Sequence, residues 1–254
     1  MNLCIIQARM GSTRLPGKVL MHVGGKPILQ QVLERLAPSA QINHFVVATT
    51  TNEEDNTIEN FCSEQKINCY RGSDWDVLDR FYQCSTKLGA KAGDNIVRIC
   101  CDNPIHSHHV VDEVMRNFLT LGVDYVSNSN HEPDFLEDGY DVEITTYSAL
   151  QSAWQNATLL SEREHVMPYI KNSGLFALGW RKTNAQYNFK LSVDTTNDLL
   201  VAQTIFDELS HEPDFAIDEV VALLQRKPEI LLLNKDSEIN SGYKKSIEQD
   251  KRIG

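Results

Sequence analysis

The chain has no apolar run of about 18 residues, the length needed to cross a bilayer, and neither a signal-peptide pattern nor a basic leader. A soluble, cytoplasmic protein without membrane contact is expected. Its six cysteines include no C-x-x-C pair and no zinc spacing, so neither disulfides nor structural zinc are needed. Several of them sit on apolar faces, where a free thiol is a small hydrophobe. Basic charge is also scarce. A formal net charge of −11 argues against nonspecific binding to nucleic acid or anionic lipid. Internal repeats and low-complexity segments are absent. The most informative absence is local: no Asp or Glu precedes Glu34, although the chain as a whole is acidic.

That acid-free opening holds a short apolar run, Leu3 to Ile6, followed by a loop rich in Gly, Ser, Thr and Pro. Within the loop stand Arg9, Arg14 and Lys18. An acidic protein that keeps this segment purely cationic reserves it for an anion; the plainer alternative is a solvated basic loop. Gly11 and Gly17 free the backbone to turn and aim N–H groups inward, while Arg forks and a Lys point charge clamp phosphate oxygens. It is not a Walker A loop, because five residues, not four, separate Gly11 from Gly17 and Val19 follows Lys18. The dinucleotide fingerprint G-x-G-x-x-G is missing as well.

With 254 residues, 41% of them hydrophobic, the chain can bury a large core. Strand-like and helix-like segments alternate, predicting an α/β fold with a mostly parallel sheet and helices on both faces. Strands are expected at the opening run, Phe45–Thr49, Ile67–Tyr70, a fully apolar Asn95–Cys101, Tyr125–Ser127, Tyr140–Thr145 and, weakly, 175–191 and 229–233. Helices are expected at Pro27–Leu36, after a Thr51/Glu54 capping box towards Gln65, and at Asp76–Leu88, His108–Leu121, Tyr147–Asn156, Ser161–Lys171, Thr195–Leu209 and Ile217–Arg226. Residues 1–234 read as one domain. Its stretch at about 128–190 breaks the alternation and is the place for acceptor contacts and a subunit interface, with apolar Phe176, Leu178 and Trp180. Residues 235–254 read as a frayed polar tail.

The pattern from Ala8 to Lys18, followed by Gly25-Lys26-Pro27, resembles the opening signature of the cytidylyltransferases that make CMP-activated sugar acids, in particular their spore-coat-polysaccharide (SpsF-like) branch. The resemblance implies a Rossmann-like, GT-A-like nucleotidyltransferase fold. It also implies that Ala8, Arg9, Gly11, Ser12, Arg14 and Lys18 hold CTP, with Arg9, Lys18 and Asp102 in the catalytic centre. Asp102-Asn103-Pro104 is similar to the family's metal-binding Asp-x-Pro, although Cys101 stands where the family usually has Gly. Val193-Asp194-Thr195 with Asp198-Leu199 matches its second motif, whose first Asp is the second Mg²⁺ ligand. Both carboxylates precede helices, so capping is the competing reading. Gly72 and Ser73 correspond to a contact with the cytosine ring, or form a plain turn. Asp79 and Arg80 either pair on the helix surface or face the nucleotide, and the surface pair is the favoured reading.

Asp141-Val142-Glu143 and Arg163-Glu164-His165 resemble motifs of the acceptor region, making Glu143, Glu164 and His165 acceptor candidates. Ser161 with Glu164 also reads as a capping box. His106, His108 and His109 read as solvated rather than as a metal cluster. The resemblance implies Mg²⁺-dependent transfer of CMP from CTP to a small acidic acceptor in a homodimer. The rivals are a glycosyltransferase, using Asp74-Trp75-Asp76 as a D-x-D motif, and a non-catalytic nucleotide-binding module.

Overall fold

The run Leu3 to Ile6 is fully buried at every position within strand β1 (Asn2–Gln7). Successive strand side chains face opposite ways, so such a run requires cover on both faces of its sheet. The computed structural model, which describes residues 1–129, 138–181, 189–212, 214–239 and 241–253, supplies that cover. After β1 come a small hairpin, β2 (His22–Val23) and β3 (Lys26–Pro27), then α1 (Ile28–Leu36), β4 (His44–Thr50), α2 (Asn56–Glu64), β5 (Cys69–Gly72), α3 (Val77–Lys87) and β6 (Asn95–Cys100). The second half runs α4 (His108–Leu121), β7 (Tyr125–Ser127), β8 (Glu143–Thr146), α5 (Tyr147–Asn156), α6 (Leu160–His165), α7 (Pro168–Asn172), β9 (Leu178–Trp180), α8 (Thr196–Glu208), α9 (Ile217–Arg226) and α10 (Ser241–Glu248).

The main sheet is ordered β5-β4-β1-β6-β8-β7-β9. All its pairings are parallel except those of β8, which runs against both neighbours. Cys4, Ile6, Val97 and Ile99 face a layer built from α1, α2, α4, α8 and α9, and Leu3, Ile5 and Ile96 face α3, α5 and α7. The expected mostly parallel sheet with helices on both faces is therefore present. Strand order reverses on either side of β1, so the loops after β1 and β6 open into the crevice where ligands of such sheets bind. Among the described residues no helix is long and apolar enough to cross a membrane.

Several local expectations differ. Residues 128–190 do not stand apart from the sheet, because β8 and β9 lie within them and complete its far half. Thr51 and Glu54 form no cap; a 3-10 turn at Glu53–Asp55 leads into α2 instead. The helix expected over 161–171 is split at Val166, which takes a positive φ. Residues 228–232 form a 3-10 turn rather than a strand, with Pro228 at the first position, where its fixed φ suits a helical turn. The tail is not frayed: α10 packs on α6. Part of the weak strand expected over 175–191 falls outside the described residues. All six cysteines are free thiols.

Candidate active site

The loop after β1 folds around one carbonyl. The backbone N–H groups of Ser12 and Gly17 donate to Met10 O at 2.8 and 2.9 Å, so neither is available to a phosphate. Gly17 makes this possible by adopting φ 72°, a left-handed conformation costly for other residues. Gly11 is under no such constraint: a Cβ there would stand 2.7 Å from Glu54 Oε1, the free end of an exposed side chain that can move aside. Ser12 Oγ accepts from the Leu15 N–H, and Ala8 is buried beside β4, donating to Ala48 O. The loop's entrance is pinned by fully buried Asp55, which accepts from Met10 N–H at 2.7 Å.

Each of the loop's cations finds an acid from another strand end. Arg9 donates to Asp74 at 2.9 Å, and Arg14 lies 2.8 Å from Asp194. Lys18 is buried and donates to Asp102 Oδ2 at 3.0 Å, Asp194 Oδ1 at 2.9 Å and Val193 O at 2.7 Å. Burial alone would lower the Lys18 pKa, yet Asp102 and Asp194 hold it above its ordinary value. Asp194 shows the converse. Burial would raise its carboxyl, but Lys18, Lys190 and Arg14 press it down to about 2. Asp102 and Asp194, far apart in the chain, therefore converge on one ammonium. Asp198 is a capping acid: its carboxylate accepts from Thr195 N–H at 2.9 Å while Thr195 Oγ1 accepts from Asp198 N–H. Cys101 causes no obstruction, because its side chain is buried in the core.

Beyond these carboxylates lies a cleft of about 400 Å³, lined among others by Arg14, Arg98, Asp102, Asp141, Glu143, His165, Lys171, Asp194 and Tyr243. Glu143 is brought to it, but already engaged: it accepts from Tyr125 OH at 2.6 Å, binds Arg98, and lies 3.7 Å from Lys171. His165 also lines the cleft, packed edge-on against Tyr243, and burial lowers its pKa to about 4, leaving it neutral near pH 7. Glu164 does not line it. Its carboxylate accepts from Ser246 of α10, so it anchors the tail. The cap of α6 is made by Glu162, and Ser161 is held by Asp250 instead of Glu164. Asp141 lines the same wall, and burial with the nearby Asp138 lifts its carboxyl to about 7.

Gly72 closes β5 and Ser73 Oγ accepts from Asp76 N–H, so this turn starts α3 and lies outside the cleft. Arg80 is not a surface residue paired with Asp79. It is fully buried below Gly72, while Asp79 accepts from the Trp154 indole at 2.8 Å. Sequence reasoning also missed Arg98, Lys171, Lys190 and Tyr243. Arg98 carried a usable signal, being a cation within a strand-like run, so Asn95–Cys100 is not wholly apolar. His106 and His108 are buried rather than solvated. Asp74 and Asp76 do not converge as a D-x-D pair: Asp74 holds Arg9, whereas Asp76 caps α3 and faces Arg163.

Residues 3–239 match the family model described as cytidylyltransferase. The chain belongs to the cytidylyltransferase family. It is 38% identical over 239 residues to an uncharacterized protein of Methanocaldococcus jannaschii, covering 91% of this chain and 93% of that one. It is 30% identical to the spore coat polysaccharide biosynthesis protein SpsF of Bacillus subtilis, covering 89% and 95%. A cytidylyltransferase structure from Leptospira borgpetersenii superposes with a TM-score of 0.84 at 27% identity, over 94% of this chain and 98% of that one. The fold is the Rossmann-like fold of nucleotidyltransferases.

Proposed function

We propose that this cytidylyltransferase uses Mg²⁺ to transfer CMP from CTP to an acidic sugar or related small acid, releasing pyrophosphate, in the biosynthesis of a surface polysaccharide or glycan. The observation carrying the proposal is the meeting of Lys18 with Asp102 and Asp194 at the mouth of the cleft. Two hard carboxylates directed at one cationic position are the donor set Mg²⁺ favours alongside substrate phosphates. Bound there, Mg²⁺ would supply charge neutralisation for the reacting phosphate. Arg9, Arg14 and Lys18 then exchange their carboxylate partners for triphosphate oxygens, and Gly72 and Ser73 border the base.

The acceptor oxygen forms a bond to the α-phosphorus as the bond from that phosphorus to the pyrophosphate oxygen breaks, so no enzyme nucleophile is required. Catalysis is positioning and charge neutralisation. The acceptor's carboxylate is assigned to the cationic side of the cleft, at Lys171 and Arg98, with Glu143 fixing both. His165 offers a neutral imidazole, and Asp141 is the group assigned to the acceptor's proton. Glu164 contributes through the tail it anchors. The separated positions of Asp74 and Asp76 disfavour a glycosyltransferase, and the complete set of cations and carboxylates disfavours a binding module.

We read the functional unit as a homodimer. Strand β9 is a sheet edge, and exposed Leu175, Leu178, Leu119 and Leu121 lie on or beside β9 and at the end of α4. Phe176 and Trp180, also expected at that contact, pack mainly against their own core. A monomeric mass by light scattering at micromolar concentration would remove this reading. The activity is tested by pyrophosphate release with each NTP and Mg²⁺ over a panel of sugar acids and phosphonates. CTP-selective release with one acid is expected; release of the nucleoside mono- or diphosphate, with no pyrophosphate, from a nucleotide sugar as the sole donor would favour the glycosyltransferase.

A further inference from the structure

Six residues after Asp102, the start of α4 meets the segment between α8 and α9. We propose that His108, His109 and Asp214 form a second metal site there, for a borderline transition ion of the Zn²⁺ class, separate from the Mg²⁺ position. One potential donor atom from each of the three side chains lies within 4.8 Å of the other two. The two imidazoles pack with ring centroids 3.9 Å apart, and His108 Nδ1 points at Asp214 Oδ1 across 3.8 Å. A second observation is independent of this clustering. His108 is only 8% exposed, and its Nδ1 is buried with no hydrogen-bond partner. A buried ring nitrogen facing a carboxylate beyond hydrogen-bond reach is an unmet requirement, and a bound cation between them meets it.

The scaffold is ordered in advance by Arg35. Its Nε donates to His106 O at 2.8 Å, its terminal nitrogen donates to Phe215 O, and its guanidinium lies 3.9 Å over the Phe215 ring. One buried side chain thus fixes the backbone beside the histidines and beside Asp214. Donors around a tetrahedral ion with bonds of about 2.0–2.1 Å stand roughly 3.4 Å apart, so a modest contraction is needed. His109 and Asp214 are exposed and close that gap by side-chain rotation. Nitrogen donors select against Mg²⁺ and for Zn²⁺, Co²⁺, Ni²⁺ or Cu²⁺. Arg35 and the positive end of α4 both oppose a cation, which places the affinity below that of a structural zinc site. The ion would tie the two segments together and stiffen the turn from Asp102 to Ser107.

The intact chain is titrated with Zn²⁺ in excess Mg²⁺, with Co²⁺ absorption as a report of coordination geometry. Saturable uptake of a Zn²⁺ equivalent, a tetrahedral Co²⁺ spectrum and a rise in thermal midpoint are expected. His109→Gln and Asp214→Asn change exposed side chains that folding does not require, and each should weaken that equivalent at least about tenfold. Absence of saturable uptake overturns the proposal, and so does Zn²⁺ binding that is unchanged in the His109→Gln/Asp214→Asn double variant.

Discussion

At the phosphate end of the cleft the charged groups sit on loops that directly follow strands: Arg9, Arg14 and Lys18 after β1, Asp74 after β5, Asp102 after β6. At the far end they come from within elements: Arg98 from the middle of β6, Glu143 from the start of β8, Lys171 from α7, and Tyr243 from the tail. At the phosphate end Arg9, Asp74 and Arg14 are 41–43% exposed, although Lys18 and Asp194 are as buried as Arg98 and Glu143; the latter two are each hydrogen-bonded again, to Gln7 and Tyr125. The first set is built to change partners when a triphosphate arrives, because each cation holds a carboxylate that a phosphate can replace. The second is built to stay, since Gln7 and Tyr125 brace its pair from both sides and separating it would leave an uncompensated charge.

The largest effect should come from breaking the phosphate end at its carboxylates. Asp102→Asn and Asp194→Asn keep the shape and any capping role while removing charge. Turnover with CTP and saturating Mg²⁺ should fall by roughly two to four orders of magnitude, the scale of a lost preorganised contact. Asp194→Asn should also destabilise the metal-free protein by roughly 2 kcal/mol, because Lys18, Lys190 and Arg14 lose the carboxylate they hold near pKa 2 instead of 3.8. Near-normal pyrophosphate release from both variants would dismiss them as metal ligands.

The next effect sharpens how the two ends are joined. His106 Nδ1 accepts from Ser107 N–H, so the ring proton sits on Nε2 and is donated to Asp141 O across 3.2 Å. This neutral imidazole ties the turn bearing Asp102 to the wall bearing Asp141. Burial lowers its pKa from 6.5 to about 4. The unfolded chain therefore binds a proton that the folded chain refuses as pH falls below 6.5. Stability should drop between pH 6.5 and 4 by up to roughly 3 kcal/mol, with no further loss from this group below that window. His106→Gln should flatten that part of the profile in denaturant titrations. An equal slope in variant and wild type would show that the histidine takes up its proton as readily in the fold as in the unfolded chain.

The nucleotide alone should distinguish the two ends. Arg14→Ala or Lys18→Ala should weaken CTP binding by roughly 1.5–3 kcal/mol, the worth of a charge-assisted bond, with no acceptor present. Lys171→Ala should leave CTP affinity unchanged and raise the KM for the acceptor. Calorimetry showing equal CTP affinity in all three variants would erase the division between a nucleotide end and an acceptor end.

That division also explains what could be read in advance. The β1 loop was legible because its turn residues and cations lie within eleven consecutive positions, Ala8 to Lys18. The alternation of buried runs and amphipathic helices made the parallel sheet legible too, and α4, α5, α9 and β7 keep their expected limits. Sequence pattern did not show that the basic loop is neutralised from Asp74, Asp102 and Asp194, since those pairings span 65 to 176 positions. The reversed β8 was hidden because antiparallel and parallel strands share one alternation period. Glu164 looked like an acceptor ligand beside His165, yet neighbours on a helix point in different directions, and only His165 reaches the cleft.

The smallest expected effect tests whether the tail belongs to the acceptor end. Beside the Glu162 cap, Asp250 holds the first turn of α6 from outside it: one carboxylate oxygen accepts from Ser161 N–H at 3.0 Å and the other from Ser161 Oγ at 2.7 Å. A carboxylate at a helix N-terminus satisfies an orphan donor and meets the positive end of the dipole. Asp250→Ala should therefore cost about 1 kcal/mol, or about 3 °C in thermal midpoint for a chain of this size. A second consequence follows from the fold, because α10 reaches the cleft through Tyr243, against which His165 packs. Loosening Asp250 should raise the KM for the acceptor a few-fold while the CTP dissociation constant stays at its wild-type value. A loss of stability with unchanged acceptor KM would make the tail a clamp on α6 and no part of the wall; weakened CTP binding would show that the two ends are coupled through it.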